Sequence, residues 1–182
     1  MNPDRSDILE CRHGNVNAFE SLVTRYQHQA VAIAYQMLGD WEDAKEAAQD
    51  AFVKVYQALD SFDLSRTFST WLYRILINTC IDYRRQRSVL SEAVGITPFR
   101  PFMHEQRTPD AELEAHEHRV LLSNALERLS PTHRAVITLR DLHGLSCREV
   151  SDIMECSEAT VRVHLFNARR KLKKLLLPLM NP

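Results

Sequence analysis

Between Ser157 and the end of the chain lie six bases, Arg162, Arg169, Arg170, Lys171, Lys173 and Lys174, against the single acid Glu158. Among them Val161, Leu165, Ala168 and Leu172 recur at steps of four, three and four, so on a helix they form one narrow apolar stripe. With successive residues about 100° apart, Val163, Asn167, Arg170 and Lys174 turn away from that stripe, with Arg162, Phe166 and Arg169 on one flank. These side chains suit polyanion recognition. The Arg162 guanidinium offers paired donors to guanine, and Phe166 either meets a thymine methyl or simply packs. A merely solvated charged helix would share the excess of bases, but not the residues before it. Ser146 and Glu149 make a Ser-x-x-Glu capping box, the short helix they open ends near Glu155, and Ser157 caps the basic helix after a tight turn. The stretch from Leu145 to Lys174 therefore reads as a helix-turn-helix that lays its second helix in the major groove. The first side chains, from Thr160 and Arg162 onward, face base edges and the later cations face phosphates.

The elements that must carry this motif are helical throughout, since no segment alternates β-branched and polar residues as a half-buried strand does. The fold class expected is all-α. A first helix runs from about Val16 to Leu38, with Phe19, Leu22, Val23, Tyr26, Ala30, Ile33, Ala34 and Met37 on its apolar face, and Gly39 ends it. Asp40 caps a second, carrying Ala44, Ala47, Ala48, Ala51, Phe52, Val55 and Leu59. After the polar break Asp60 to Arg66, a third helix starts near Phe68, carries Trp71, Leu72, Ile75, Leu76 and Cys80, and finishes in Arg84, Arg85 and Arg87. Periodicity is lost from Ser88 to Pro109, where Gly95, Pro98, Pro101 and Pro109 interrupt regular structure. It resumes at about Ala111. Ser130 and Pro131, a cap followed by a first-turn proline, start a helix to about Leu142 that Gly144 closes. Two small helical domains, 1–87 and 111–182, joined by a flexible linker over 88–110, fit the 182 residues.

The net charge of −1 conceals an uneven distribution. Residues 1–60 hold ten acids and five bases, 61–87 two acids and five bases, 88–118 six acids and two bases, and 158–182 one acid and six bases. Two separated basic patches imply two separated contacts with a polyanion. No apolar run approaches a membrane span, and Met1 to His13 is polar and acidic, unlike a signal peptide, so a cytoplasmic location without membrane insertion is expected. Cys11, Cys80, Cys147 and Cys156 form no CxxC pair and read as reduced, packed thiols. A redox role for Cys147 and Cys156, which flank one helix of the motif, has nothing further behind it. No P-loop, metal-ligand cluster or nucleophile motif is present, so no enzyme activity, catalytic residue, metal or cofactor is expected.

The order of these elements resembles the bacterial sigma factors of RNA polymerase, in their smallest, extracytoplasmic-function form, over nearly the whole chain. The resemblance rests on Asp43 to Phe52 (DAKEAAQDAF), Phe68 to Ile75 (FSTWLYRI) with Asn78, Leu129 to Pro131, Leu145 to Val150 (LSCREV), Ala159 to Arg162, and Ala168 with Arg169. It implies that the first domain is sigma region two and the second region four. It further implies that the chain directs core polymerase to promoters, for a stress or envelope-response regulon, with the polymerase β′ clamp helices and β subunit, promoter DNA and an anti-sigma factor as partners.

The resemblance also implies roles residue by residue. Glu46, Gln49 and Asp50 match the face that docks on the clamp helices. The loop Asp60 to Arg66 and the helix of Asn78 match the part that recognises the minus-10 element and captures a flipped base, which gives Ser65, Arg66, Arg74, Asn78, Arg84, Arg85 and Arg87 as minus-10 contacts. Melting costs a few kcal/mol per unstacked base, and stacking on a ring offsets about 1 to 3 kcal/mol per base. Phe68, Trp71 and Tyr73 are the rings at hand, with Trp71 on the apolar stripe and so expected in the core. The arginines are better placed to hold phosphates. Thr160, Arg162, Val163, Phe166, Asn167, Arg169 and Arg170 match the minus-35 reader, with Arg162 suited to guanine and His164 half-buried or near phosphate. Many members have Ser-Arg where this chain has Val163-His164, and Asn167 replaces a frequent arginine, so the minus-35 sequence does not carry over. A stand-alone helix-turn-helix regulator would account for Leu145 to Lys174 but not for the first domain, and no dimerisation heptad is evident.

Overall fold

The structure, a computed structural model, describes residues 3–94 and 120–180, and the side chains of these apart from 89–94 and 178–180. Helix α1 spans Pro3–Arg12, α2 Val16–Leu38 and α3 Trp41–Ala58, with a 3-10 turn over Leu59–Ser61, and α4 spans Phe68–Val94. Residues 120–127 are helical (α5). α6 spans Pro131–Ile137 and continues as a π turn over Thr138–Leu142, followed by α7 at Cys147–Met154 and α8 at Glu158–Met180. The described residues contain no strand.

Local chemistry sets most of these boundaries. The Asn15 side chain accepts the Asn17 N–H to open α2. At its other end Gly39 adopts φ 79°, a left-handed conformation that favours glycine, and donates its N–H to the Tyr35 carbonyl. Asp40 accepts the N–H groups of Glu42 and Asp43 to start α3. The Ser130 hydroxyl caps α6, with Pro131 in its first turn, and Ser146 and Glu149 make the capping box of α7 in both directions.

Two expectations need correction. The helix at Val16–Leu38 is not the first, because α1 precedes it: Ile8 is buried, and Asp4 accepts from both Arg25 and Tyr26 of α2. Arg12 closes the helix onto the carbonyls of Leu59 and Phe62. The third long helix also does not stop at Arg87, since α4 continues to Val94, into the stretch expected as linker. The rest of that linker, and the expected restart at Ala111, lie outside the described residues.

The core of the first domain is built by the expected stripes. Leu22, Ile33 and Met37 of α2 meet Ala44, Ala47, Ala48 and Ala51 of α3, whose small side chains let the helices approach, and Leu72, Leu76 and Ile77 of α4 close the third side. Burying each of the larger side chains contributes about 1.5 to 3 kcal/mol before conformational entropy is set against it. In the second domain Val136, Ile137, Leu139, Val150, Ile153, Val161, Leu165 and Ala168 are buried, so the predicted stripe of the basic helix does face its scaffold.

The two domains touch. Their buried residues form one contiguous apolar cluster, and α7 packs on α4. Arg134 of α6, fully buried, donates from Nε to the Leu126 carbonyl at 2.7 Å and from Nη1 to the Met37 carbonyl at 2.7 Å. Arg84 of α4 donates to that same Met37 carbonyl at 3.1 Å. The C-terminal end of α2, with its partial negative charge, therefore receives a guanidinium from each domain. Burial, and then the neighbouring Arg84, pushes Arg134 down to about 9. His143 lies 3.1 Å from the Gln36 side chain and is pushed down by burial.

Candidate nucleic-acid interface

The helix-turn-helix is α7, the turn at Glu155 to Ser157, and α8. Glu155 makes the turn by adopting φ 51°, the sole non-glycine residue with positive φ among those described. Ser157 opens α8 by accepting the Thr160 N–H at 3.0 Å, and the two hydroxyls lie 2.8 Å apart. With Val161, Leu165 and Ala168 buried, the opposite face is fixed. Arg162, Val163 and Phe166 are 64% (side chain), 58% and 65% exposed. Arg162 pairs with Glu158 one turn back at 2.7 Å, and the Arg170 guanidinium sits 5.9 Å from the centre of the Phe166 ring. Asn167 is half-buried. Arg169 makes a bidentate pair with Asp141 of the π turn, at 2.9 and 2.5 Å, so in this arrangement it fastens α8 to its scaffold. His164 is half-buried, edge-on to His133 at 5.6 Å.

The first domain supplies the second basic surface. Asp63 accepts the Ser65 N–H at 2.9 Å, which shapes the loop before α4 and holds the Asp63 carboxyl below its ordinary range. Ser65 and Arg66 are exposed on that loop, with Arg66 3.7 Å from Asp63. On α4, Arg74, Asn78 and Arg85 fall within about 40° of one another around the helix and make one polar face. Arg85 is 77% exposed beside Asp82, and Asn78 is exposed. Arg84 and Arg87 point elsewhere. Arg84 reaches the Met37 carbonyl and Arg87 pairs with Asp43 of α3 at 2.5 Å, so both tie α4 to the other helices. The run of arginines is thus divided by helical geometry into outward and inward members.

The aromatic residues near this face are less open than their sequence suggests. Phe68 and Tyr73 are 1% and 3% exposed. Trp71 is half-buried, 4.8 Å from the Phe62 ring, and packs against the core as expected. Ser65, Arg66, Trp71 and Arg74 line one wall of a cleft of about 920 Å³ between the domains. Its other wall includes Glu149, Asp152 and Glu155 from α7 and the turn, and Arg74 pairs with Glu155 at 2.6 Å.

A third surface lies on α3. Glu46, Gln49 and Asp50 are all exposed, and Asp50 accepts from the Tyr83 hydroxyl at 2.7 Å. Burial and that carboxylate push the Tyr83 phenol up to about 12. Beside Gln49 runs an apolar groove of about 720 Å³ between α2 and α3, walled by Phe19, Val23, Phe52, Val53 and Tyr56. Sequence reasoning missed this groove. Its signal was the repeat of Gln49, Val53 and Tyr56 at steps of four and three, off the core stripe of α3, with Val53 and Tyr56 about half exposed.

Among the described residues no cluster of histidine, cysteine and carboxylate side chains suits a metal ion, and no helix is long and apolar enough to cross a membrane. The cysteines are free thiols, with Cys80 buried and the others half-buried.

Comparison with known proteins identifies the two domains that carry these surfaces. Residues 22–89 match the family model Sigma-70 region 2, and residues 119–172 match Sigma-70, region 4. The chain is 36% identical to the ECF RNA polymerase sigma-E factor of Escherichia coli strain K12, over 97% of this chain and 96% of that one. It is 30% identical to the RNA polymerase sigma-H factor of Pseudomonas aeruginosa, over 97% and 95% respectively. Among solved structures, CnrH in complex with the cytosolic domain of CnrY superimposes with a TM-score of 0.71 at 28% identity, covering 96% of this chain and 97% of that one. The sigma factor RpoE from Bartonella quintana, in complex with the anti-sigma factor NepR, shares the fold with a TM-score of 0.72 at 23% identity, over 88% and 98%.

Proposed function

The chain belongs to the sigma-70 family of bacterial RNA polymerase sigma factors, in its two-domain extracytoplasmic-function form, and from that premise we propose how its residues divide the work of starting transcription. As a sigma factor it is not an enzyme; it binds core RNA polymerase and directs initiation to particular promoters. A stand-alone helix-turn-helix regulator is not favoured, because such a protein has no use for a region 2.

The division of labour assigns residues 1–87 to polymerase docking and minus-10 recognition, 88–110 to the tether, whose first residues to Val94 prolong α4, and 111–182 to the minus-35 element. Glu46, Gln49 and Asp50 dock on the β′ clamp helices, with the groove beside Gln49 burying apolar side chains of the partner. Polar residues rimming an apolar patch is the usual anatomy of such an interface. The β subunit is expected to hold the second domain. At the minus-10 element, Arg74, Asn78 and Arg85 share one polar face of α4, with Ser65 and Arg66 on the loop before it. Arg84 and Arg87 support that face from within. At the minus-35 element, Thr160, Arg162, Val163, Phe166, Asn167 and Arg170 face the groove, and Arg169 orients α8 through Asp141.

The observation that carries the reading is that two basic faces, one on α4 and one on α8, sit on separate domains. Two promoter segments can therefore be held at once when polymerase sets their spacing. The similar structure of CnrH is in complex with the cytosolic domain of CnrY; for this chain a protein partner is proposed too, an anti-sigma factor. The site of action is the cytoplasm, and the regulon is one of stress or envelope response. In vitro transcription with purified core polymerase and genomic promoter fragments tests the reading. Specific starts that require this chain are expected, and their absence would refute it.

A further inference from the structure

Val163 and Phe166 are anomalous where they stand. Both lie on the solvent face of α8, 58% and 65% exposed, and neither joins the buried cluster or the half-buried residues packed against it. The Phe166 ring meets the Arg170 guanidinium, one turn on, which steadies it from the side. They contribute nothing evident to folding. Spaced three residues apart, they lie one above the other on the helix, about 4.5 Å apart along its axis. That step is close to the spacing of about 3.4 Å between successive base pairs.

The charge around them selects what can cover them. Arg162 and Arg170 flank the pair on the same face, and the six bases after Glu158 make this the most basic segment of the chain. The surface is therefore apolar at its centre and cationic at its edge, which fits the major groove of a duplex better than an apolar protein surface. In that groove the thymine C5 methyl is the apolar feature that a base pair presents.

We infer that Val163 and Phe166 form a methyl-reading pair, which selects two neighbouring thymines in the minus-35 element while Arg162 reads the adjoining polar base edge. This rests on the placement of α8 at the minus-35 element given above. It adds the kind of base read. Val163, at a position where family members often carry serine, makes the preference a property of this chain.

The test removes the methyl and nothing else. Promoters with a randomised minus-35 element are selected with holoenzyme, and each thymine in the winning sequence, on either strand, is then replaced by deoxyuridine. Loss of one buried methyl corresponds to about a fourfold loss of holoenzyme binding. That loss is expected at two adjacent base pairs. In holoenzyme carrying Phe166→Ala with Val163→Ala, thymine and deoxyuridine should bind alike at those two positions, while the preference at the base under Arg162 persists. Equal binding of thymine and deoxyuridine by the unaltered holoenzyme at every position would overturn the inference. So would sensitivity to deoxyuridine that survives in the double variant. If randomising the minus-35 element changes nothing at all, the placement of α8 fails first and the inference falls with it.

Discussion

The carboxylate of Glu155, in the turn of the helix-turn-helix, lies 2.6 Å from the guanidinium of Arg74 on α4 of the other domain. Arg74 is one of the groups proposed to meet minus-10 DNA, so in this arrangement an acid of region 4 occupies the place of a phosphate. Glu155 is 66% exposed, and an exposed pair contributes only about 0 to 1 kcal/mol. The closed arrangement leans more on the buried bonds of Arg134. Glu155→Gln should leave thermal stability within about 1 kcal/mol of the parent and, because the bonds of Arg134 remain, raise only a few-fold the minor open population read by single-molecule energy transfer between fluorophores on the two domains. High salt should raise that population in the parent in the same way, because an exposed ion pair is screened. An open population unmoved by either change would show that the pair does not hold the cleft.

Polymerase docking is expected to depend on α3. Gln49→Ala combined with Asp50→Ala should weaken binding to core polymerase, measured by fluorescence anisotropy, with the helical circular dichroism signal and melting temperature preserved. Tyr83→Phe removes the hydroxyl that Asp50 accepts from and should give a smaller loss on the same assay. Unchanged affinity of the double variant would refute the assignment.

Stability on the acid side should report the capping box. The Ser146 hydroxyl and backbone N–H donate to the Glu149 carboxylate at 2.7 and 2.8 Å and hold it below its ordinary value. A carboxyl lowered by folding adds stability that is present above its unfolded value, about 4.3, and is lost as pH falls through the lower folded one. Glu149→Gln should therefore melt below the parent at pH 7, and the gap should close as pH is lowered toward 3. Ser146→Ala should cost about 1 kcal/mol at neutral pH. A gap that stays constant with pH would exclude an ionised role for Glu149.

At the minus-35 element, Arg162→Ala should cost about 1 to 3 kcal/mol at one base pair if the guanidinium bonds a guanine edge. Binding to promoter variants, measured with holoenzyme, resolves this. Equal losses on every sequence would instead make Arg162 a phosphate contact.

How much of this was legible in the sequence follows from how local each cause is. The caps at Asp40, Ser130 and Ser146 and the glycine at 39 act within a few residues, so their motifs predicted the helix ends. The stripe of Val161, Leu165 and Ala168 was legible because burial on one helix face imposes its period directly. Helix α1 was not, since Ile8 is its single fully buried apolar side chain and the helix is tied down by Asp4 and Arg12 through partners far along the chain. Arg84 looked like a phosphate contact within a basic run, yet its partner is the Met37 carbonyl, forty-seven residues away. The same distance hid the burial of Phe68 and Tyr73 and the groove between α2 and α3.

The shared Met37 carbonyl has a thermodynamic consequence. A chain that binds promoter only when open has an apparent dissociation constant equal to the intrinsic one divided by the open fraction. If about 1% of molecules are open, affinity falls about 100-fold with no change at either DNA face. A polymerase that drew the domains apart would return that factor, and a partner that favoured the closed arrangement would withhold it. The two would then act as opposing ligands on one equilibrium, biased by the bonds of Arg84 and Arg134 at the end of α2.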